Sequence, residues 1–122
     1  MGKRVLLIED EPNIIEAISF LLLRDGWQVD THSNGEDAVQ VVLDRNPDIL
    51  ILDVMLPGRS GYDILQDLRG TASTSDLPVL MLTARGQSKD RDMAERIGAS
   101  RFMTKPFSND EILAAVRDMT AA

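Results

Sequence analysis

The chain has 122 residues, 43% of them apolar, no cysteine, and a formal charge of −7 from 13 basic and 20 acidic side chains. One globular domain, residues 1–122, is expected, large enough to bury about two thirds of its unfolded surface, and without cysteine it can hold neither a disulfide framework nor thiol chemistry. The acidic balance, with no basic patch, argues against direct binding of nucleic acid or anionic membranes, and the opening MGKRVLLIEDE is too poor in apolar residues for a signal peptide or membrane span.

Short apolar runs alternate with helical periodicity five times. Val5 to Ile8 is an unbroken aliphatic run of strand length. After it, Ile14, Ile18, Leu21 and Leu22 form a helical stripe that opens at Pro12 and closes at Gly26. WQVDTH (27–32) alternates, with Trp27, Val29 and Thr31 on one side, as an edge strand does; Trp27 is expected to cover the end of the first helix. Ser33 and Glu36 have the spacing of a capping box for the second helix, which Pro47 ends. Ile49 to Leu52 and Val79 to Leu82 are again unbroken, as parallel strands covered on both faces require. Between them lie a helix buried through Ile64, Leu65 and Leu68 and a polar loop, GTASTSD. A fourth helix has only Met93, Ala94 and Ile97 as its apolar face. RFM (101–103) is a short outer strand. Ser108 and Glu111 cap a fifth helix that buries Ile112, Leu113 and Val116.

Five βα units imply an α/β fold with a doubly wound parallel sheet and right-handed crossovers. Putting the unbroken runs at the centre gives the flavodoxin-like order 2-1-3-4-5, whose ligands sit beyond the carboxyl ends of strands one and three. Strand one ends in Glu9 and Asp10, strand three in Asp53, strand four in Thr83, and strand five runs to Lys105 and Pro106. Two carboxylates about 5 Å apart at an effective dielectric near 20 repel by roughly 3 kcal/mol, so this rim calls for a cation. Oxygen donors without His or Cys favour Mg²⁺ (or Mn²⁺) over Zn²⁺. With a lysine and a hydroxyl beside it, Asp53 is placed as a nucleophile toward phosphorus, forming an acyl phosphate.

From VLLIEDE through DVMLPGRSGYDIL and PVLMLTA to GASRFMTKPF, nearly the whole chain resembles the CheY-like receiver domains of two-component response regulators. LTARG and TKPF look closest to receivers that precede winged-helix DNA-binding domains. The resemblance implies that Asp53 takes phosphate from a sensor histidine kinase or a histidine phosphotransfer protein. It also implies Mg²⁺ held by Asp10, Asp53 and the backbone carbonyl of Met55 with help from Glu9, Lys105 as the phosphoryl contact before a cis Pro106, and Thr83 with Phe102 as a coupled switch pair. Phe102 stands where the family often has Tyr and lacks its hydroxyl.

Such a domain is cytoplasmic and is not an enzyme beyond its own phosphotransfer and autodephosphorylation. Its output is a changed surface on the fourth helix, fifth strand and fifth helix, offered to an effector protein or to a second copy. For the dimer of that subfamily Arg91 and Glu111 match one charge pair, whereas Ser100 and Arg101 replace two acids and Ala115 replaces a base. The alternative is a phosphorelay intermediate. A chain ending one helix after Lys105 is expected to be a stand-alone receiver or a piece of a longer protein.

Other readings are weaker. An aspartyl phosphatase would carry a second Asp two residues after the nucleophile, where Met55 stands. A nucleotide or flavin site would need a Gly-rich or hydroxyl-rich turn instead of EDEPN. His32 is expected to be exposed, Met55, Met81 and Met103 to fill the core, and Met55 and Arg85 to flank the nucleophile as gates for water.

Overall fold

The computed structural model describes residues 3–84 and 88–121, of which 88–90 by their backbone alone. Its elements run β1 (Arg4–Ile8), α1 (Pro12–Arg24), β2 (Gln28–His32), α2 (Ala38–Arg45), β3 (Ile49–Asp53), α3 (Gly61–Arg69), β4 (Val79–Thr83), α4 (Ser88–Ile97), β5 (Arg101–Thr104) and α5 (Asn109–Thr120). The five strands pair in parallel in the order β2-β1-β3-β4-β5, the order expected from the unbroken runs.

Each central strand is buried on both faces because its residues point alternately to two layers of helices. Val5, Leu7, Ile49, Ile51, Leu80 and Leu82 pack against Ile18, Leu21 and Leu22 of α1 and Ile112, Ala115 and Val116 of α5. Leu6, Ile8, Leu50, Leu52, Val79 and Met81 pack on the other side against Ala38 and Val42 of α2, Ile64, Leu65 and Leu68 of α3 and Ala94 of α4. Each buried Val, Leu, Ile or Met side chain contributes about 1.5–3 kcal/mol relative to an exposed one, so the strands that end at the rim are well anchored.

Helix ends follow sequence chemistry in some places and not in others. Gly26, at φ +93°, closes α1, and the Ser108–Glu111 capping box opens α5 with both hydrogen bonds made. The box expected from Ser33 and Glu36 does not form: α2 starts at Ala38 after Asp37, and the Glu36 N–H binds Asn34 Oδ1 instead. Those residues belong to a loop docked on a neighbouring turn. Two expected core residues are exposed: Met55, at 63%, lies on the turn after β3, and Met93, at 47%, points away while Ala94 takes the buried position on α4. His32 is half-buried and bound to Asp37 through Nε2 at 2.7 Å, where an exposed ring was expected. GTASTSD is a loop containing one 3-10 turn, Ala72–Thr74.

Two further contacts fix loops and helix ends. The Arg69 guanidinium donates to the carbonyls of Gly98 (2.9 Å) and Thr74 (3.1 Å) and to Ser100 Oγ (3.4 Å), tying the end of α3 to the end of α4. The Gly35 N–H donates to the Pro57 carbonyl at 2.9 Å, and a Cβ at position 35 would stand 2.2 Å from the Arg59 carbonyl oxygen. Gly35 therefore lets the β2–α2 loop touch the turn that follows Asp53. Gly35→Ala is expected to force the two loops apart and cost about 1–3 kcal/mol of stability, read as a lowered urea midpoint with an unchanged m-value.

Candidate functional site

Register decides which rim residues meet. Glu9 extends β1 past Ile8, its N–H bonding the His32 carbonyl, and Lys105 extends β5, its N–H bonding the Thr83 carbonyl. By alternation Glu9, Asp53 and Lys105 fall on the α1–α5 side of the sheet, with Leu7, Leu82 and Met103. Thr83 and Phe102 fall on the other side, with Met81, on the neighbouring strands β4 and β5.

Glu9 is fully buried and Asp53 is 2% exposed. Glu9 Oε2 accepts the N–H groups of Asp10 (3.0 Å) and Glu11 (3.1 Å), which orients its carboxylate. Lys105 Nζ lies 2.8 Å from Glu9 Oε1, 3.1 Å from Glu11 Oε1 and 3.5 Å from Asp53 Oδ2. Asp53 Oδ1 accepts the Met55 N–H at 3.3 Å. Asp10 is exposed, and one carboxylate oxygen from each of Glu9, Asp10 and Asp53 lies within 4.8 Å of the others. Thr83 is buried at the end of β4, and Phe102 is half-buried with the Arg91 guanidinium 5.8 Å above its ring. The Lys105–Pro106 peptide bond is cis. Arg85 lies outside the described residues.

The electrostatics follow from burying more acid than base. Burial, and then the charge of Glu9, raises the Asp53 carboxyl to about 7, against the opposing pull of Lys105 and the Met55 N–H. Burial works against the Lys105 ammonium, but its hydrogen bonds to Glu9 and Glu11 and the charge of Asp53 outweigh it, and its pKa rises. At neutral pH the lysine is charged and the Asp53 carboxyl is poised between its two forms.

Sequence reasoning placed Glu9, Asp10, Asp53, Thr83 and Lys105 at one rim, and the structure brings them there. It missed Glu11. The signal was the third acid of EDE, but only the fold shows that its carboxylate reaches a lysine 94 positions along the chain.

Residues 5–117 match the model of the response regulator receiver domain. The chain belongs to this family. The phosphate regulon transcriptional regulatory protein PhoB of Escherichia coli is 39% identical to this receiver over 117 residues, which cover 96% of this chain and 51% of that protein. The chain thus spans about half the length of the curated relatives it matches. Among solved structures, the beryllofluoride-activated receiver domain of Klebsiella pneumoniae RstA superposes with a TM-score of 0.90 at 27% identity, covering 98% of this chain and 99% of that one. The receiver domain of a sensor histidine kinase from Pseudomonas aeruginosa, with a magnesium ion coordinated in its active-site cleft, gives 0.91 at 25% identity over 100% of both chains. No helix among the described residues is long and apolar enough to cross a membrane.

A carboxyl whose pKa is raised binds a proton in the folded receiver at pH values where the unfolded chain has already released it. Its contribution to stability is therefore present at low pH and lost as pH rises through about 7. Asp53→Asn is expected to stabilise the metal-free protein at pH 8 by on the order of 2–4 kcal/mol. The gap should shrink as the pH falls toward 4, measured by urea unfolding in EDTA.

Proposed function

We propose that this receiver accepts a phosphoryl group on Asp53 from a phosphohistidine, with Mg²⁺ bound at the rim, and so switches a protein-binding surface. The observation that carries the reading is the buried Asp53 carboxylate flanked by a lysine at 3.5 Å and by carboxylate oxygens gathered within 4.8 Å.

The donor set fits the ion. The carboxylate oxygens of Glu9, Asp10 and Asp53, gathered within 4.8 Å of one another, are the hard donors that Mg²⁺ prefers. Asp10, Asp53 and the Met55 carbonyl would hold it, with Glu9 acting directly or through water. When bound, Mg²⁺ neutralises charge on the incoming phosphoryl oxygens. An Asp53 carboxylate oxygen forms the new P–O bond while the P–N bond of the phosphohistidine breaks. The departing imidazole nitrogen keeps the bonding pair. Lys105 offers an N–H to a phosphoryl oxygen and Thr83 offers its hydroxyl.

Thr83 and Phe102 share one side of the sheet on adjacent strands, which supports reading them as the pair that relays occupancy of Asp53 to the face of α4, β5 and α5. On that face Arg91 lies over Phe102, and Arg101 pairs with Asp118 at 3.6 Å. A homodimer through it would rest on Arg91 and Glu111, since Ala115 is buried and carries no charge. Phosphorylation, or its mimic beryllofluoride, is expected to double the mass seen by light scattering if the partner is a second copy. An unchanged mass assigns the face to a separate effector protein. The receiver is read as a cytoplasmic signalling domain spanning residues 1–122, which is not an enzyme beyond its own phosphotransfer and autodephosphorylation.

Incubation with Mg²⁺ and acetyl phosphate is expected to produce a retarded band on Phos-tag gels. Asp53→Ala and EDTA should abolish it, and Lys105→Met should slow it at least tenfold, about 1.4 kcal/mol. A shift that survives Asp53→Ala would refute the assignment.

A further inference from the structure

Lys105 has three N–H donors and three acidic neighbours, and the neighbours are not equivalent. Glu9 is fully buried and carries two backbone hydrogen bonds on its other oxygen, so it cannot be returned to water cheaply. Asp53 is the acceptor itself. Glu11 is different, because its side chain is 58% exposed and can trade the lysine for solvent. It also stands at the N-cap of α1 without using its carboxylate there. No side-chain cap bond is made, and its carbonyl alone receives the N–H groups of Ile14 and Ile15. Glutamate is not among the side chains preferred for capping at that position, so its carboxylate is free to reach elsewhere. Here Oε1 reaches Lys105 Nζ at 3.1 Å. Glu11 lies outside the three residues that could share a cation.

We infer that Glu11 is a positioning residue that holds Lys105 in a resting arrangement, and that its contact with the ammonium is the one given up when an anionic phosphoryl group reaches Asp53. This inference rests on the phosphoacceptor reading and adds a restraint to it. Phosphoryl oxygens must compete with Glu11 for an N–H of Lys105, so the resting contact lowers the affinity of the site for the transferred group. The penalty is small because an exposed carboxylate re-solvates readily, and it is adjustable by sequence because position 11 is free of cap and metal duties.

Titration of beryllofluoride into the Mg²⁺-loaded protein, followed by amide NMR, tests this in four proteins: wild type, Glu11→Gln, Lys105→Met and the double variant. Glu11→Gln keeps the size and removes the charge. It is expected to tighten binding about two- to fivefold, the range of an exposed ion pair. In the Lys105→Met background the same change should have no effect, because the competition runs through the lysine. Raising KCl to 1 M should narrow the gap between wild type and Glu11→Gln, and this check does not depend on the folding of the Lys105 variant.

Equal or weaker binding by Glu11→Gln would overturn the inference. So would an equal gain in both backgrounds, which would mean that only the general field of a negative charge had been removed. Failure of the wild type itself to bind beryllofluoride would instead defeat the phosphoacceptor reading, and the restraint would fall with it.

Discussion

One ammonium group serves three carboxylates at the rim, and two of the three are buried. Lys105 lies nearest Glu9 and farthest from Asp53, at 2.8 and 3.5 Å, and Glu9 Oε1 is left without a hydrogen bond of good geometry. The shortfall of positive charge makes the site unstable alone and receptive to a cation, and the same imbalance lifts the proton affinity of Asp53. A fully paired cluster would be a sturdier structural feature and a poorer receptor. Stability is given up at the carboxyl ends of the strands and recovered in the two aliphatic layers that anchor them.

The sheet does more than anchor. Because side chains alternate, the residues that hold charge and the pair proposed to respond to them are sorted onto opposite sides without any special device. Glu9, Asp53 and Lys105 project toward α1 and α5, while Thr83 and Phe102 project toward α4. A one-residue slip of β5 would exchange Lys105 for Thr104 and turn Phe102 to the wrong layer. The registers of β4 and β5 are therefore as much a part of the chemistry as the side chains.

The strand order and the rim were legible because unbroken aliphatic runs each terminated in a polar group, a pattern that requires burial followed by an edge. Some helix caps were legible for similarly local reasons, as at Gly26 and Ser108. What stayed hidden was decided by how loops turn and by distant contacts. Ser33 and Glu36 have the right spacing for a cap, but docking of their loop on Pro57 and Arg59 outweighs it. Met55 reads as apolar filler, yet its place on the turn after Asp53 leaves it exposed. His32 reads as a free edge residue until the loop after β2 turns Asp37 back to it. The direction of the Glu11 side chain could be known only once β5 was laid beside β4.

Two of the three hydrogen bonds of Arg69 fall at one end of α4, on Gly98 and, just beyond it, Ser100. If α4 tilts, these contacts mark its fulcrum and the helix is the arm of a lever. Ten residues at 1.5 Å each make an arm of about 15 Å, so a tilt of about 10° about the pinned end displaces the far end by roughly 2.6 Å. The far end is the one that follows β4 and Thr83. A small rotation about the pinned end thus shows as its largest displacement beside the rim, with the fulcrum set by a single guanidinium.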